Sequence, residues 1–210
     1  MRQRQNSRRR FSFRRTPSPR RLRIAVLTGL AILLAWTTIH DRFSLRTSVS
    51  DQSAYHEKRF RVIRVIDGDT LDLDVADRRH RQPTTRVRLW GVDTPETQKP
   101  DAPAMHYGPE AAQFTERLAL NTEVLVRLEP FAGSRDKYGR LLAYIYLPDG
   151  RLLNQTLIQD GYGYADERFT HMLYDEFLAA QKEARENHRG LWRDAAYADY
   201  PSWYRNRHTR

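Results

Sequence analysis

The 210-residue chain has no cysteine. That single absence excludes disulfide scaffolds, Cys-ligated zinc, iron–sulfur clusters and thiol nucleophiles. It leaves the compartment open, because a cysteine-free chain is compatible with either side of a membrane. The seven histidines, at positions 40, 56, 80, 106, 171, 188 and 208, show no metal-site spacing and read as surface or locally hydrogen-bonded residues. Acidic residues are missing from the first 23 positions, which hold ten arginines. Setting those ten aside from the 36 Lys+Arg leaves 26, against 26 Asp+Glu, so the formal charge of +10 sits in one arm and the remainder is neutral. Net charge is therefore no argument for a nucleic-acid partner of the globular part. With 40% hydrophobic and 30% charged residues the chain is too polar for a multi-span membrane protein. Its length suits one domain with appendages, and it contains no internal repeat.

Met1–Arg23 is rich in Arg, Ser and Pro and reads as a basic disordered arm. Ile24–Ile39 follows, sixteen residues without a charge. As a helix it spans roughly 24 Å, at the short edge for a bilayer core of about 30 Å. Three readings compete: a single-pass anchor, a cleaved signal segment and a buried core helix. The arginines disfavour the third, because they set a solvated block directly against the run. By the positive-inside rule they also orient an anchor with the arm in the cytoplasm and residues 41–210 outside it; cleavage would make the chain secreted. Residues 40–57 read as a polar linker, with the folded domain beginning near Lys58.

Lys58–Ile66 and the strictly alternating Leu71–Val75 predict paired strands about an Asp67-Gly68 turn. Thr85–Trp90 predicts a third, with Val87 and Leu89 on one face and Arg86, Arg88 and Trp90 on the other. Gly91–Met105, with Pro95, Pro100 and Pro103, reads as a loop. A helix opens at Gly108-Pro109, with Ala111, Phe114 and Leu118 at helical spacing. Strands at Glu123–Leu128 and Leu141–Leu147, a short helix at Leu152–Gln159 and a last helix over about Thr170–His188 complete a β-β-β-α-β-β-α-α order. Five strands with three helices packed on them predict an α+β fold built on a small closed barrel, preceded by one apolar N-terminal helix.

Three segments concentrate reactive side chains: Asp67-Gly68-Asp69-Thr70 at a turn, Arg88 through Glu96 running from a strand into a loop, and Asp136-Lys137-Tyr138-Gly139-Arg140 leading into another strand. Asp69 and Asp93 can offer hard oxygens to Ca²⁺ or Mg²⁺. Glu96, three residues after Asp93, can hold or deprotonate a water. Arg88 and Arg140 are planar forks suited to phosphate oxygens. Two guanidiniums, one acid and a divalent cation are what phosphodiester hydrolysis requires. Each segment alone is an ordinary turn or a solvated strand residue; all three in this order on a five-strand pattern are not.

"VIDGDT", "VDTPET", "YGPEA" and "DKYGRLLAYIY" together resemble the staphylococcal nuclease (thermonuclease) family, over about Phe60 to Trp192. The resemblance implies an OB-type Greek-key barrel and Ca²⁺-dependent cleavage of DNA and RNA that leaves 3′-phosphate ends; a monomer is expected. It implies Asp69 and Asp93 as the metal carboxylates, the Thr94 carbonyl as a further ligand, and Asp67 as an acid near the metal. It implies Glu96 as general base, Arg88 and Arg140 on the scissile phosphate, and Lys137 and Tyr138 on the nucleotide's other phosphate. The family's base-packing tyrosines do not map uniquely; Tyr162 and Tyr164 are near. Basic residues are fewer than in the type enzyme, which predicts a shallower salt dependence of binding. Residues 193–210 extend past the family core. A catalytically silent nucleic-acid-binding barrel is the alternative function, opposed by the retention of Arg88, Glu96, Arg140, Asp69 and Asp93.

Overall fold

The computed structural model describes Thr28, Leu30, Ala31 and residues 51–97, 103–130 and 133–208. The expected basic arm lies outside the described residues, and so does the apolar run 24–39 apart from those three. Among the described residues no helix is long and apolar enough to cross a membrane. Chain contacts separate Met1–Leu45 from Arg46–Arg210, and the fold and site below belong to the second unit.

Five strands close the expected barrel: β1 (Lys58–Asp67), β2 (Thr70–Leu73), β3 (Thr85–Leu89), β5 (Glu123–Leu128) and β6 (Leu141–Tyr146), in the order β1-β2-β3-β6-β5. Alternation drives closure. On β3, Val87 and Leu89 are buried while Arg86 faces out, bound through two nitrogens to Asp72 on β2 at 2.8 and 3.0 Å. Val62, Leu71, Leu73, Val124, Val126, Leu141 and Ile145 fill the barrel at 0% exposure, and removing this apolar area from water is the main stabilising contribution. All barrel pairings are antiparallel except β3–β6, which is parallel with Arg88 opposite Leu142. That one parallel pairing carries Arg88 and the residue just before β6, Arg140, to the same end of the barrel.

Helix α1 (Gly108–Ala119) buries Ala111, Thr115 and Ala119, a stripe at spacings of four, while Phe114 and Leu118 pack at its edge. Helix α2 (Leu153–Gln159) buries Asn154, whose side chain is fully used. Its amide donates to Trp90 O (2.9 Å) and Ala143 O (3.1 Å), and its oxygen accepts from Ile145 N (3.0 Å). Helix α3 (Tyr174–Glu186) buries Phe177, Ala180, Gln181 and Ala184.

Several boundaries differ from the sequence reading. The linker expected over 40–57 ends early: residues 51–55 are helical and Tyr55 is 3% exposed within the core. The Asp51 carboxylate explains it, accepting from Ser134 Oγ (2.6 Å) and Arg135 Nε (3.0 Å) and Nη2 (2.9 Å), contacts invisible in a polar stretch of sequence. The last predicted helix starts at Tyr174 rather than Thr170, because His171 turns inward; its ring nitrogen Nδ1 lies 3.0 Å from the Tyr144 hydroxyl. His171 is thus buried rather than at the surface, and its Nδ1 also accepts locally from the Leu173 N–H at 3.3 Å. Burial holds its pKa below the ordinary histidine value, partly countered by the charges of Glu129, Asp166 and Glu176. Within the expected loop 91–105, β4 (Val92–Asp93) pairs with β7 (Tyr164–Ala165). Residues 193–208 dock rather than stop: α4 (Ser202–His208) packs Tyr204 into an aromatic cluster with Tyr164, Trp192 and Tyr200.

Candidate active site

An open cleft of about 720 Å³ lies where the β1–β2 turn, the end of β3 and the segment leading into β6 meet. Asp67, Asp69, Arg88, Asp93, Glu96, Lys137, Tyr138 and Arg140 all line it. Thr94 lies behind the wall at 3% exposure.

The turn places the first carboxylates. Asp67 Oδ1 accepts from the Gly68 N–H (2.9 Å), closing the reversal into β2. A Cβ at Gly68 would lie 2.7 Å from Thr94 Oγ1 and 2.8 Å from Ala111 Cβ, so only glycine lets the turn sit against Thr94 and α1. The Thr115 hydroxyl locks it from α1 by donating to Gly68 O (2.6 Å). Asp69 is then directed into the cleft at 5% exposure, its Oδ2 accepting from the Thr94 backbone N–H (2.7 Å) and hydroxyl (3.0 Å). Asp67 also accepts from the Thr97 N–H at 3.3 Å, tying the turn to the Glu96 loop.

Arg88 stands between the two buried-side carboxylates. Its Nη1 is ion-paired with Asp69 and its Nη2 donates to Asp93 Oδ1 at 2.5 Å. Burial pushes the Arg88 pKa down and the Asp93 charge pushes it back up; a guanidinium in this setting stays cationic. Arg140 is aimed by Asp136, to which its Nε donates at 2.7 Å and its backbone N–H at 2.9 Å. Its Nη1 reaches Thr70 Oγ1 at 3.4 Å, on the strand beside Arg88. Lys137 and Tyr138 form the exposed rim, with the ammonium 4.9 Å from the ring centre.

Glu96 occupies the mouth of the cleft. Crowding by protein raises its carboxyl above the ordinary range, and the neighbouring Asp67 carboxylate adds to this by charge and by a side-chain hydrogen bond. A carboxylate raised in this way is a stronger base than a free one.

Arg168 and Phe169, which line the cleft, and Trp203, which reaches it through Asp93, carry no local signal in the sequence. Arg168 Nη2 pairs with Asp93 Oδ1 at 3.0 Å while its Nε donates to Asp166 at 2.7 Å. Trp203 Nε1, on α4, donates to Asp93 Oδ2 at 2.8 Å, and the Arg168 guanidinium lies 4.7 Å from the Trp203 ring. Phe169, 49% exposed, packs on Trp90 with centroids 5.4 Å apart. Tyr162 and Tyr164 do not line the cleft: Tyr162 stacks on Phe114 at 4.1 Å and Tyr164 is buried.

Asp69 and Asp93 converge on one guanidinium, so hard anionic oxygens already meet at a cation. Among the described residues no three His, Asp or Glu form a closed metal cage. An open pair of carboxylates fits an ion that completes its shell with water, backbone carbonyl and substrate oxygens.

The sequence model of the staphylococcal nuclease homologue family matches residues 86–194. A thermonuclease of Staphylococcus hyicus is 36% identical over 172 residues, covering 80% of this chain and 97% of the relative. A thermonuclease of Staphylococcus intermedius is 40% identical over 170 residues, covering 80% and 95%. The endonuclease YncB of Bacillus subtilis is 33% identical over 137 residues, covering 64% and 61%. On this cleft, this barrel and these relatives, the chain belongs to the staphylococcal nuclease homologue family.

Proposed function

We propose that this nuclease hydrolyses phosphodiester bonds of DNA and RNA with little sequence preference, dependent on Ca²⁺ held at Asp69 and Asp93 with the Thr94 carbonyl. The observation that carries the reading is the convergence of Asp69, Asp93, Arg88, Glu96 and Arg140, from three separate segments, on one cleft. A bound Ca²⁺ supplies positive charge against the phosphate oxygens. Arg88 and Arg140 donate to the non-bridging oxygens, where charge gathers as the transition state forms. Glu96 takes the proton of a water whose oxygen attacks phosphorus, while the bond to the 5′ oxygen breaks, that oxygen takes up a proton from solvent to leave as a hydroxyl, and the 3′ side keeps the phosphate. Asp67 sustains the basicity of Glu96. Lys137 and Tyr138 hold a neighbouring phosphate at the rim, and Phe169 offers a face for a base.

The same proposal tethers the enzyme through residues 24–39, with the cleft outside the cytoplasm, or releases it by cleavage there; the support is the uncharged run after ten arginines. The test of the catalytic reading is digestion of single-stranded DNA and RNA by the full chain. Both should be cut, with loss of activity in a chelator and best recovery with Ca²⁺. Full activity in chelator would remove the metal from this account.

A further inference from the structure

We propose that the loop of residues 77–82 is a docking arm for the strand that flanks the bond being cut. The proposal rests on the nuclease reading of the cleft and adds a subsite to it. Backbone hydrogen bonds between Asp77 and Gln82, at 3.0 and 3.1 Å, close the loop, and its tip presents Arg78, Arg79, His80 and Arg81, all exposed. Arg79 lies 3.8 Å from Asp51, but among the described residues neither Arg78 nor Arg81 pairs with a carboxylate, unlike the exposed Arg127 and Arg151.

An arginine-rich surface loop is ordinarily loose. This one is fixed at its base by buried charge. Asp77 accepts from the backbone N–H groups of Arg79 (3.1 Å) and His80 (3.2 Å) and pairs with His80 Nδ1 (3.0 Å). Arg135, 5% exposed, binds Asp77 at 2.5 Å and Asp51 at 2.9 Å, and donates to Gly139 O at 2.9 Å. Taking these ions out of water is costly. Arg81 additionally holds a left-handed φ of 54°, unfavourable for a residue with a long side chain. The result is a cationic tip held in one geometry.

That geometry continues the cleft. A Cβ at Gly139 would lie 2.8 Å from His80 Nε2, so the imidazole rests on the backbone between Tyr138 and Arg140. Arg135 itself lines the cleft. The loop therefore adjoins the edge of the cleft that carries Lys137 and Arg140, and Arg78 and Arg81 extend the basic groups there beyond the ion-paired Arg135. A polyanionic strand is the occupant that matches such a row by charge. A single strand fits better than a duplex, because Arg88 is only 13% exposed and a phosphate must bend inward to reach it.

The test compares the full wild-type chain with R78S/R81N, in which Asn tolerates the left-handed backbone, and with R78K/R81K. Binding of a labelled single strand of about 20 nucleotides is measured in chelator across salt concentrations. Ca²⁺-dependent cleavage is measured on that strand and on a dinucleotide. The neutral variant should bind the long strand about tenfold more weakly, with a salt slope shallower by about 1.4, the share of two phosphate contacts on a single strand. Its dinucleotide cleavage should be unchanged, and the lysine pair should keep affinity and slope. Unchanged long-strand binding in the neutral variant overturns the proposal. Equal losses on the dinucleotide, or a lysine pair as weak as the neutral one, overturn it too. A wild-type chain that neither bound nor cut either substrate would instead remove the nuclease reading, and the arm with it.

Discussion

Two walls of the cleft grip the same carboxylate. From one side Asp93 Oδ1 accepts from Arg88, five residues away; from the other it meets Arg168, and Oδ2 accepts from Trp203, 110 residues away. The first wall is made of contiguous motifs whose geometry follows from a turn and a strand end. The second exists only because β7 pairs with β4 and α4 packs its aromatic face on Tyr164. Side chains that perform the proposed chemistry are concentrated on the first wall, and side chains that hold them are shared with the second. Asp93 belongs to both, so its orientation depends on residues beyond 194, where the match to the family model ends.

Breaking the first wall should have the largest effect. Glu96→Gln removes the base without changing shape, and should lower the rate on single-stranded DNA by about 10² to 10⁴-fold with an unchanged melting temperature. A rate within a factor of two or so of wild type would take Glu96 out of the mechanism. Asn154→Ala attacks the support of that wall. It strips three hydrogen bonds from the junction of Trp90 with β6, and should cost about 3 kcal/mol of stability in denaturant titration, since buried backbone groups lose their partner.

The second wall is probed by Trp203→Phe, which keeps the aromatic packing and deletes only the N–H donor to Asp93. Partners that orient a metal ligand are typically worth about 10- to 100-fold in metal affinity. Calorimetric Ca²⁺ affinity should fall within that range while thermal stability holds; restoration by Trp203→His, which retains a ring N–H, would tie the effect to the hydrogen bond. Equal Ca²⁺ affinity in wild type and Trp203→Phe would show that the first wall positions Asp93 unaided.

The smallest effect concerns His171, which sits against Trp90 and Tyr144 between the walls. Its pKa is lowered in the fold by burial, so the folded state favours the neutral ring. The unfolded chain takes up the proton first on acidification. Stability should therefore be complete above about pH 6.5 and decline as pH falls toward the folded value. Melting temperatures of the wild type and His171→Gln, followed from about pH 7.5 downward, should differ in acid slope, the variant being flatter; parallel slopes would assign the acid sensitivity elsewhere.

What could be read ahead of the fold was whatever lies close in the chain. The strand alternation at Leu71–Val75 and Thr85–Trp90 reports which face is buried, and the Asp67-Gly68 turn reports where the chain reverses, because both depend on neighbouring residues. Asp67, Lys137 and Tyr138 were singled out by the family resemblance, whereas Asp69, Arg88, Asp93, Glu96 and Arg140 were legible from residue type and local setting. Asp51, Asn154, His171, Arg168 and Trp203 were not. Each finds its partner across a large separation, and nothing in a polar stretch, a short helix or a terminal segment announces the residue it will meet.

The amino-acid order by itself determined the five-stranded pattern and the reactive residues, since periodicity and turn chemistry are local properties of the chain. The tertiary structure alone decided that Arg88 and Arg140 share one end of the barrel, because that depends on the parallel β3–β6 pairing. It alone decided that α4 reaches Asp93 and that the 77–82 loop stands beside the cleft. Those arrangements arise from burial of distant apolar surfaces and pairing of buried charge, whose energies depend on which surfaces meet rather than on which residues adjoin.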